Sequence, residues 1–255
     1  MSTKFKALKP NPLAKITNPG GFPIPNYTYR VRSTCPGNLI AYWPMAEDSG
    51  GTAQDESGNG RTGSYNNIQL GKAGIGDGRN AASFASAMNN VYSTSFRDAF
   101  NPREGTISIW AKITDITVWG DGTGRRVFTM GTGATSETIL LAKSTATSTM
   151  VFQYVANNTI AGWGTGSGLS STEWEHYAIT FSRSASQVIH YYQGVLRETD
   201  TSMGDFVGAL NDNNTLWGNA ISGNNVGRWV GLMAHGAVWN TALTASQVKL
   251  LSRAY

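Results

Sequence analysis

From residue 38 onward, apolar side chains recur mostly every second position, the period of a half-buried β-strand. In TISIWAKI, Ile107, Ile109, Ala111 and Ile113 share one face, while Ser108, Trp110 and Lys112 share the other. In EHYAITFSR, Tyr177, Ile179 and Phe181 alternate with His176, Ala178 and Thr180. SQVIHYYQGVL reads as a strand running into a hairpin turn at Gln193-Gly194. MVFQYVA from Met150 and RWVGLMAHGAVW from Arg228 repeat the theme, and the glycine-rich GTGATS and GWGTGSG read as loops between strands. Many short strands with few helices predict an all-β sandwich.

Two segments break the pattern. At the C-terminus, Thr244 and Gln247 have the spacing of a capping box, and Leu243 and Val248 that of a hydrophobic staple. A short final helix is expected there, with Val248, Leu251 and Tyr255 facing the sandwich. At the N-terminus, Pro10, Pro12, Pro19, Pro23, Pro25 and Pro36 fall within 36 residues. Proline removes a backbone donor and pushes its neighbour toward extended geometry, so residues 1–37 are expected to form an extended arm. The domain then covers residues 38–255.

Charge sharpens this division. Residues 1–36 carry Lys4, Lys6, Lys9, Lys15, Arg30 and Arg32 and no acid, whereas residues 37–255 carry 14 bases and 16 acids. The basic character therefore belongs to the arm, and the domain itself offers no nucleic-acid footprint. Phe22, Ile24, Tyr27, Tyr29 and Val31 add apolar anchors, the composition of an arm that orders on a partner. The expected partner-binding residues are Lys4, Lys6, Lys9, Lys15, Phe22, Tyr27, Tyr29, Arg30 and Arg32. No apolar run approaches membrane-spanning length, and no apolar stretch follows the N-terminal lysines as in a secretory signal. Cys35 is the sole cysteine, so no internal disulfide framework is expected.

Five segments, in order, resemble the LamG-like jelly-roll domains of the concanavalin A-like lectin/glucanase superfamily. They are LIAYWPMAEDSGGTAQDESGNGRTGS from Leu39, AASFA from Ala81, GTISIWAKI from Gly105, WEHYAITFSRSASQVIHYYQGVL from Trp174, and HGAVWNTALTASQV from His235. The resemblance implies a jelly-roll β-sandwich of two antiparallel sheets over residues 38–255. Calcium is the cofactor it brings to mind, with Asp55, Asn59 and Asp77 as oxygen donors. An Asx turn accounts for Asp55 and Asn59 equally well. Ala85-Ser86 and Ala234-His235 depart from the family pattern and weaken a carried-over metal site, so no metal ligand is assigned.

Catalytic chemistry has little to stand on. The glucanase branch hydrolyses glycosides with acids spaced along one strand as Glu-x-Asp-x-x-Glu. Glu198-Thr199-Asp200 begins that pattern, but Met203 stands at its end. Glu173 and Glu175 flank Trp174 without a third acid, and both pairs read as solvated strand ends. His176, His190 and His235 lack metal-ligand spacing. GKAGIGDGR is followed by a strand and not by the helix a phosphate cradle needs. No catalytic residue is expected. Trp119, Trp163 and Trp217 lie in polar, glycine-rich surroundings and are the candidate sugar-contact residues, with self-burial of those loops as the alternative.

The expected function is that of a non-enzymatic accessory protein of a bacteriophage virion, made in the host cytoplasm. It would attach by its arm to the major capsid or another virion protein and display the sandwich as a capsid decoration or tail-associated subunit. LamG-like domains of this length among phage structural proteins motivate this reading by analogy. A glycan-binding, lectin-like module at a bacterial surface is the alternative. Self-association is compatible with both; nucleic acid and membrane are not expected partners.

Overall fold

The computed structural model describes residues 26–85, 90–92, 94–132, 137–145, 148–164, 170–211, 215–219 and 227–254. Lys4, Lys6, Lys9, Lys15 and Phe22 lie outside them. The chain starts with α1 (Tyr27–Ser33), followed by β1 (Leu39–Trp43), β2 (Thr52–Ala53), β3 (Gly63–Asn66), β4 (Gln69–Ala73), β5 (Asn80–Phe84) and β6 (Asn90–Tyr92). Next come α2 (Thr94–Ala99), β7 (Glu104–Lys112), β8 (Arg125–Gly131), β9 (Thr138–Lys143), β10 (Met150–Ala156) and β11 (Thr159–Gly164). The last elements are β12 (Glu175–Ser182), β13 (Gln187–Tyr192), β14 (Val195–Asp200), β15 (Thr215–Trp217), β16 (Gly227–Arg228), β17 (Gly231–Trp239) and α3 (Ala245–Leu251).

Two sheets form the jelly-roll sandwich. The first has the order β14-β13-β12-β7-β17-β5-β4, with β1 also paired to β17. The second has the order β11-β10-β9-β8-β15-β6-β3-β2, with β16 on β8. Every pairing is antiparallel except β16 with β8. The expected hairpin turn is present: Gln193 and Gly194 both have positive φ, as a two-residue turn between strands of right-handed twist requires. Gly162–Gly164, expected in a loop, instead continues β11.

Between the sheets lies the main core, including Trp43, Phe84, Ile107, Ile109, Phe128, Phe152, Ile179 and Trp217. Strict alternation would leave the other face of the first sheet in water. That face is buried too, because α1 and α3 lie over it with Tyr27, Val31, Tyr42, Trp110, Trp239, Val248 and Leu251 as a second core.

Helix α1 corrects the expected extended arm over residues 27–33, which are helical and packed on the domain. Asn26 caps it, its Oδ1 accepting from Tyr29 N at 2.8 Å. Tyr27 and Val31, four apart and so on one face, are each 1% exposed. Tyr27 Oη donates to Leu251 O at 2.7 Å and accepts from Trp110 Nε1 at 2.8 Å. The Arg30 guanidinium donates to the carbonyls of Leu250 and Arg253, and Trp239 Nε1 closes the far end on Thr34 O. The orphan carbonyls at the end of α3 thus find their donors on α1. Tyr27 and Arg30, expected to contact a partner, are spent on the domain; Tyr29 and Arg32 stay exposed. At the other end of α3, the Thr244–Gln247 capping box forms as expected.

Candidate functional site

Of the three tryptophans expected at a sugar-contact surface, Trp119 and Trp217 are buried. Trp217 is 3% exposed and wedged edge-on between Trp43 and Phe128, at centroid distances of 6.1 and 5.4 Å. Trp119 is 5% exposed and donates from Nε1 to Ser171 O. Glycine-rich flanks let both chains fold inward over their own indoles. Trp163 belongs to β11, and its side chain lies outside the described residues.

Around the candidate calcium donors, the carboxylate of Asp55 is used up by a turn. Oδ1 accepts from Tyr42 N and Ser57 N, and Oδ2 from Ser57 Oγ and Arg61 N. Asn59 donates its amide to the carbonyls of Leu39 and Ile40, pinning this turn to β1. Asp77 lies apart from both and faces His235. Among the described residues, no group of three or more His, Cys, Asp or Glu is placed to hold a metal ion.

The Asp77–His235 pair belongs to a polar cluster roofed by α1. His235 sits in a bulge of β17 with φ of 58°, a strained setting for a side chain other than glycine. Its Nδ1 is 2.7 Å from Tyr42 Oη, and its Nε2 faces Asp77 Oδ2 at 3.2 Å without hydrogen-bond alignment. Tyr42 Oη also meets Thr28 Oγ1 of α1, which accepts from Arg79, itself paired with Glu56. Burial pulls the His235 imidazole below its ordinary pKa despite Asp77. Burial would raise Asp77, but the facing His235 outweighs it and holds the carboxyl low. Tyr27 lies against the imidazole at 4.3 Å between centroids. At its edge Glu56 and Arg79 are half-buried, and Thr28 lines a surface pocket with Asn26, Tyr29, Arg32 and Ser33.

The acid pairs do not converge. Glu175 is buried and accepts from the hydroxyls of Tyr177 and Tyr192, so it is no solvated strand end, while Glu173 is exposed. Asp200 Oδ2 accepts from Gly162 N on the facing edge strand.

The outer face of the second sheet is different. Leu141 and Phe152 point into the core, so their neighbours Ala142 and Val151 point outward, and Arg126, registered with Ala142 across a bulge in β8, shares that outer face. Registered neighbours then form a row: Arg228 on β16, Arg126 on β8, Ala142 on β9, Val151 on β10 and Gly164 on β11. It runs from exposed Gly164 through half-buried Val151 to Ala142 and Arg228, each 4% exposed. The row thus sets the Arg126 and Arg228 side chains next to each other at one end and small side chains at the other.

A sequence model of a laminin G-like family, described as the concanavalin A-like lectin/glucanases superfamily, matches residues 77–249. The chain belongs to this superfamily. No curated protein of assigned function matches it. Among solved structures, domain 4 of the extracellular arabinanase AbnA from Geobacillus stearothermophilus, in complex with arabinotriose, is 17% identical with a TM-score of 0.58. That likeness covers 85% of this chain and 98% of the domain. The receptor-binding domain of botulinum neurotoxin C/D mosaic serotype is 11% identical with a TM-score of 0.62, over 85% of this chain. The binding domain of Paraclostridial Mosquitocidal Protein 1 is 16% identical with a TM-score of 0.59, over 86% of this chain. The chain spans about half the length of these two toxin domains, 51% and 53%. At such identities the likeness concerns the fold.

Within this superfamily fold, the sequence reasoning missed both the α1 roof and the arginine row. Asn26 followed by Tyr27 and Val31 at helical spacing was the available signal for α1. For Arg126 and Arg228 there was none, because the register that joins them spans about a hundred residues.

Proposed function

We propose that this concanavalin A-like sandwich works by binding and not by catalysis, as an accessory subunit of a virion attached through its first 25 residues. The observation that carries this reading is the distribution of charge about the edge of the folded domain. Residues 1–25 carry Lys4, Lys6, Lys9 and Lys15 and no acid, whereas residues 26–255 hold 16 bases and 16 acids. The excess basic charge thus lies in the sequence before α1, which joins that segment to the sandwich. An extended basic segment suits an acidic protein shell such as that of a major capsid protein. The test is co-assembly: the chain lacking residues 1–25 should fold and fail to join particles, and normal incorporation would refute the reading.

A glycan-binding role is the second reading, compatible with the first. The fold shared with the arabinanase domain solved with arabinotriose favours it. Sugar binding would then not depend on Trp119 or Trp217, which are buried. A glycan array with the full chain tests it, and a blank array would count against it.

A further inference from the structure

Helices α1 and α3 lie side by side over the first sheet and run in opposite directions. Tyr27 Oη donates to Leu251 O at one end, and Gln247 Nε2 donates to Cys35 Sγ at 3.0 Å at the other. Their inward positions are Tyr27, Val31, Val248 and Leu251. Tyr29 and Arg32 on α1, Lys249 and Leu250 on α3, and Arg253 just past it are left exposed. Each helix has seven residues, a length of about 10 Å, so these five side chains share one small surface.

Neither helix carries an acid. Elsewhere on the domain, Arg79, Arg103, Arg125, Lys143 and Arg183 meet carboxylates. Among the described residues no carboxylate pairs with Arg32, Lys249 or Arg253. The sequence before Asn26 adds Lys4, Lys6, Lys9 and Lys15 and no acid, so it does not neutralise this surface either. Apolar side chains stand beside the cations, Tyr29 at 60% exposure and Leu250 at 40%. A lone exposed leucine needs no explanation. Tyrosine and arginine next to one have the composition of a protein contact. The surface is also held in shape in advance, because Arg30 donates to the carbonyls of Leu250 and Arg253 and Trp239 Nε1 to Thr34 O. A partner therefore has little to order on binding.

We propose that the outward face of α1 and α3 is a docking surface for an acidic protein segment that carries apolar side chains. The carboxylates of that segment meet Arg32, Lys249 and Arg253, and its apolar side chains cover Tyr29 and Leu250. Nucleic acid matches the cations but not the leucine, to which a phosphate backbone offers nothing. The inference rests on the attachment reading above and adds the part of the folded domain that touches the partner.

The test is fluorescence anisotropy of the full chain with a labelled peptide of Glu-Leu-Asp-Phe repeats, compared across three paired charge reversals. Arg32→Glu with Lys249→Glu alters the helix face. Lys72→Glu with Arg197→Glu alters β4 and β14, the two edges of the same sheet. Lys4→Glu with Lys6→Glu alters the N-terminal segment. The helix-face pair should weaken binding about tenfold or more and the sheet-edge pair much less. The helix-face pair should leave the melting temperature unchanged, because both positions are exposed. Tyr29→Ala with Leu250→Ala should weaken binding of the repeat peptide and leave that of labelled polyglutamate as it was. Equal losses from the helix-face and sheet-edge pairs would reduce the effect to net charge and overturn the inference. A loss confined to the Lys4 and Lys6 pair would overturn it too, and would leave the attachment reading intact. Single-stranded oligothymidine bound as tightly as the peptide would transfer the face to nucleic acid. Self-association of the parent chain that the helix-face pair dissolves, seen by sedimentation, would transfer it to a second copy. Either result would overturn the acidic partner. Failure of the parent chain to bind the peptide would overturn the inference as well, while the attachment reading is judged separately by co-assembly.

Discussion

Tyr27 and Leu251 meet across 224 positions of sequence, the tyrosine hydroxyl donating to the leucine carbonyl at 2.7 Å. One contact thus ties the first helix to the last, over the outer face of the first sheet. The same hydroxyl accepts from Trp110 on β7, so both ends of the described chain are fastened to a central strand.

Tyr27→Phe keeps the ring and removes the hydroxyl, leaving Trp110 Nε1 and Leu251 O buried without this partner. A loss of about 1–3 kcal/mol is expected in urea unfolding, from unmade buried hydrogen bonds. A stability equal to that of the parent chain would mean that α1 is not docked as described.

Trp119→Ala and Trp217→Ala should each cost about 3–5 kcal/mol of stability, the range for large aromatics removed from a core. Neither should change sugar binding in whatever fraction stays folded. Loss of binding at unchanged melting temperature would restore the surface role.

Burial holds His176 down to about 3 and His190 to about 4. The folded chain keeps both neutral while the unfolded chain takes protons near pH 6.5. Stability is therefore fully present above about pH 6.5 and is lost as pH falls from there toward 4. Between pH 7 and pH 5 the unfolding free energy should drop by about 2–4 kcal/mol, and His176→Gln should flatten the slope. A flat profile over this range would contradict the burial of these rings.

Lys143 is fully buried, its ammonium held by Asp121 Oδ1 at 2.8 Å and Thr123 O at 2.9 Å. Burial alone would raise the Asp121 carboxyl, but Lys143 and Arg125 hold it down to about 2. Asp121→Asn strands a buried charge and should cost about 3–5 kcal/mol, whereas Lys143→Met removes the charge and should cost less. Thermal melts of the two variants check the order, and the reverse order would refute the pairing.

The strands were readable because their cause is local. Ile107, Ile109 and Ala111 alternate, and alternation is what a sheet face demands. The Thr244–Gln247 cap was readable for the same reason, since both partners lie within one turn. Helix α1 was only weakly readable: Asn26, Tyr27 and Val31 have helical spacing, but Tyr27, Thr28 and Val31 have weak helix propensity, and the prolines before them argue for extension. Its stability comes from Trp110, Trp239 and Leu251, which only the fold brings near. For Trp119 and Trp217 the alternative of self-burial holds, and the sequence left it open because a glycine-rich neighbourhood reveals flexibility of the chain, not which way the indole turns. Asp77 and His235 were visible as residues, but their meeting depends on a bulge in β17.

The division between a docked helix and a basic attachment segment is tested most directly by comparing two truncations, one lacking residues 1–25 and one lacking residues 1–36, for urea stability and for particle association. The first should unfold at the same urea concentration as the full chain and fail to associate. The second should also lose several kcal/mol, because it removes Tyr27 and Arg30 from the second core. Equal stability of the two truncations, or association by the first, would contradict the account.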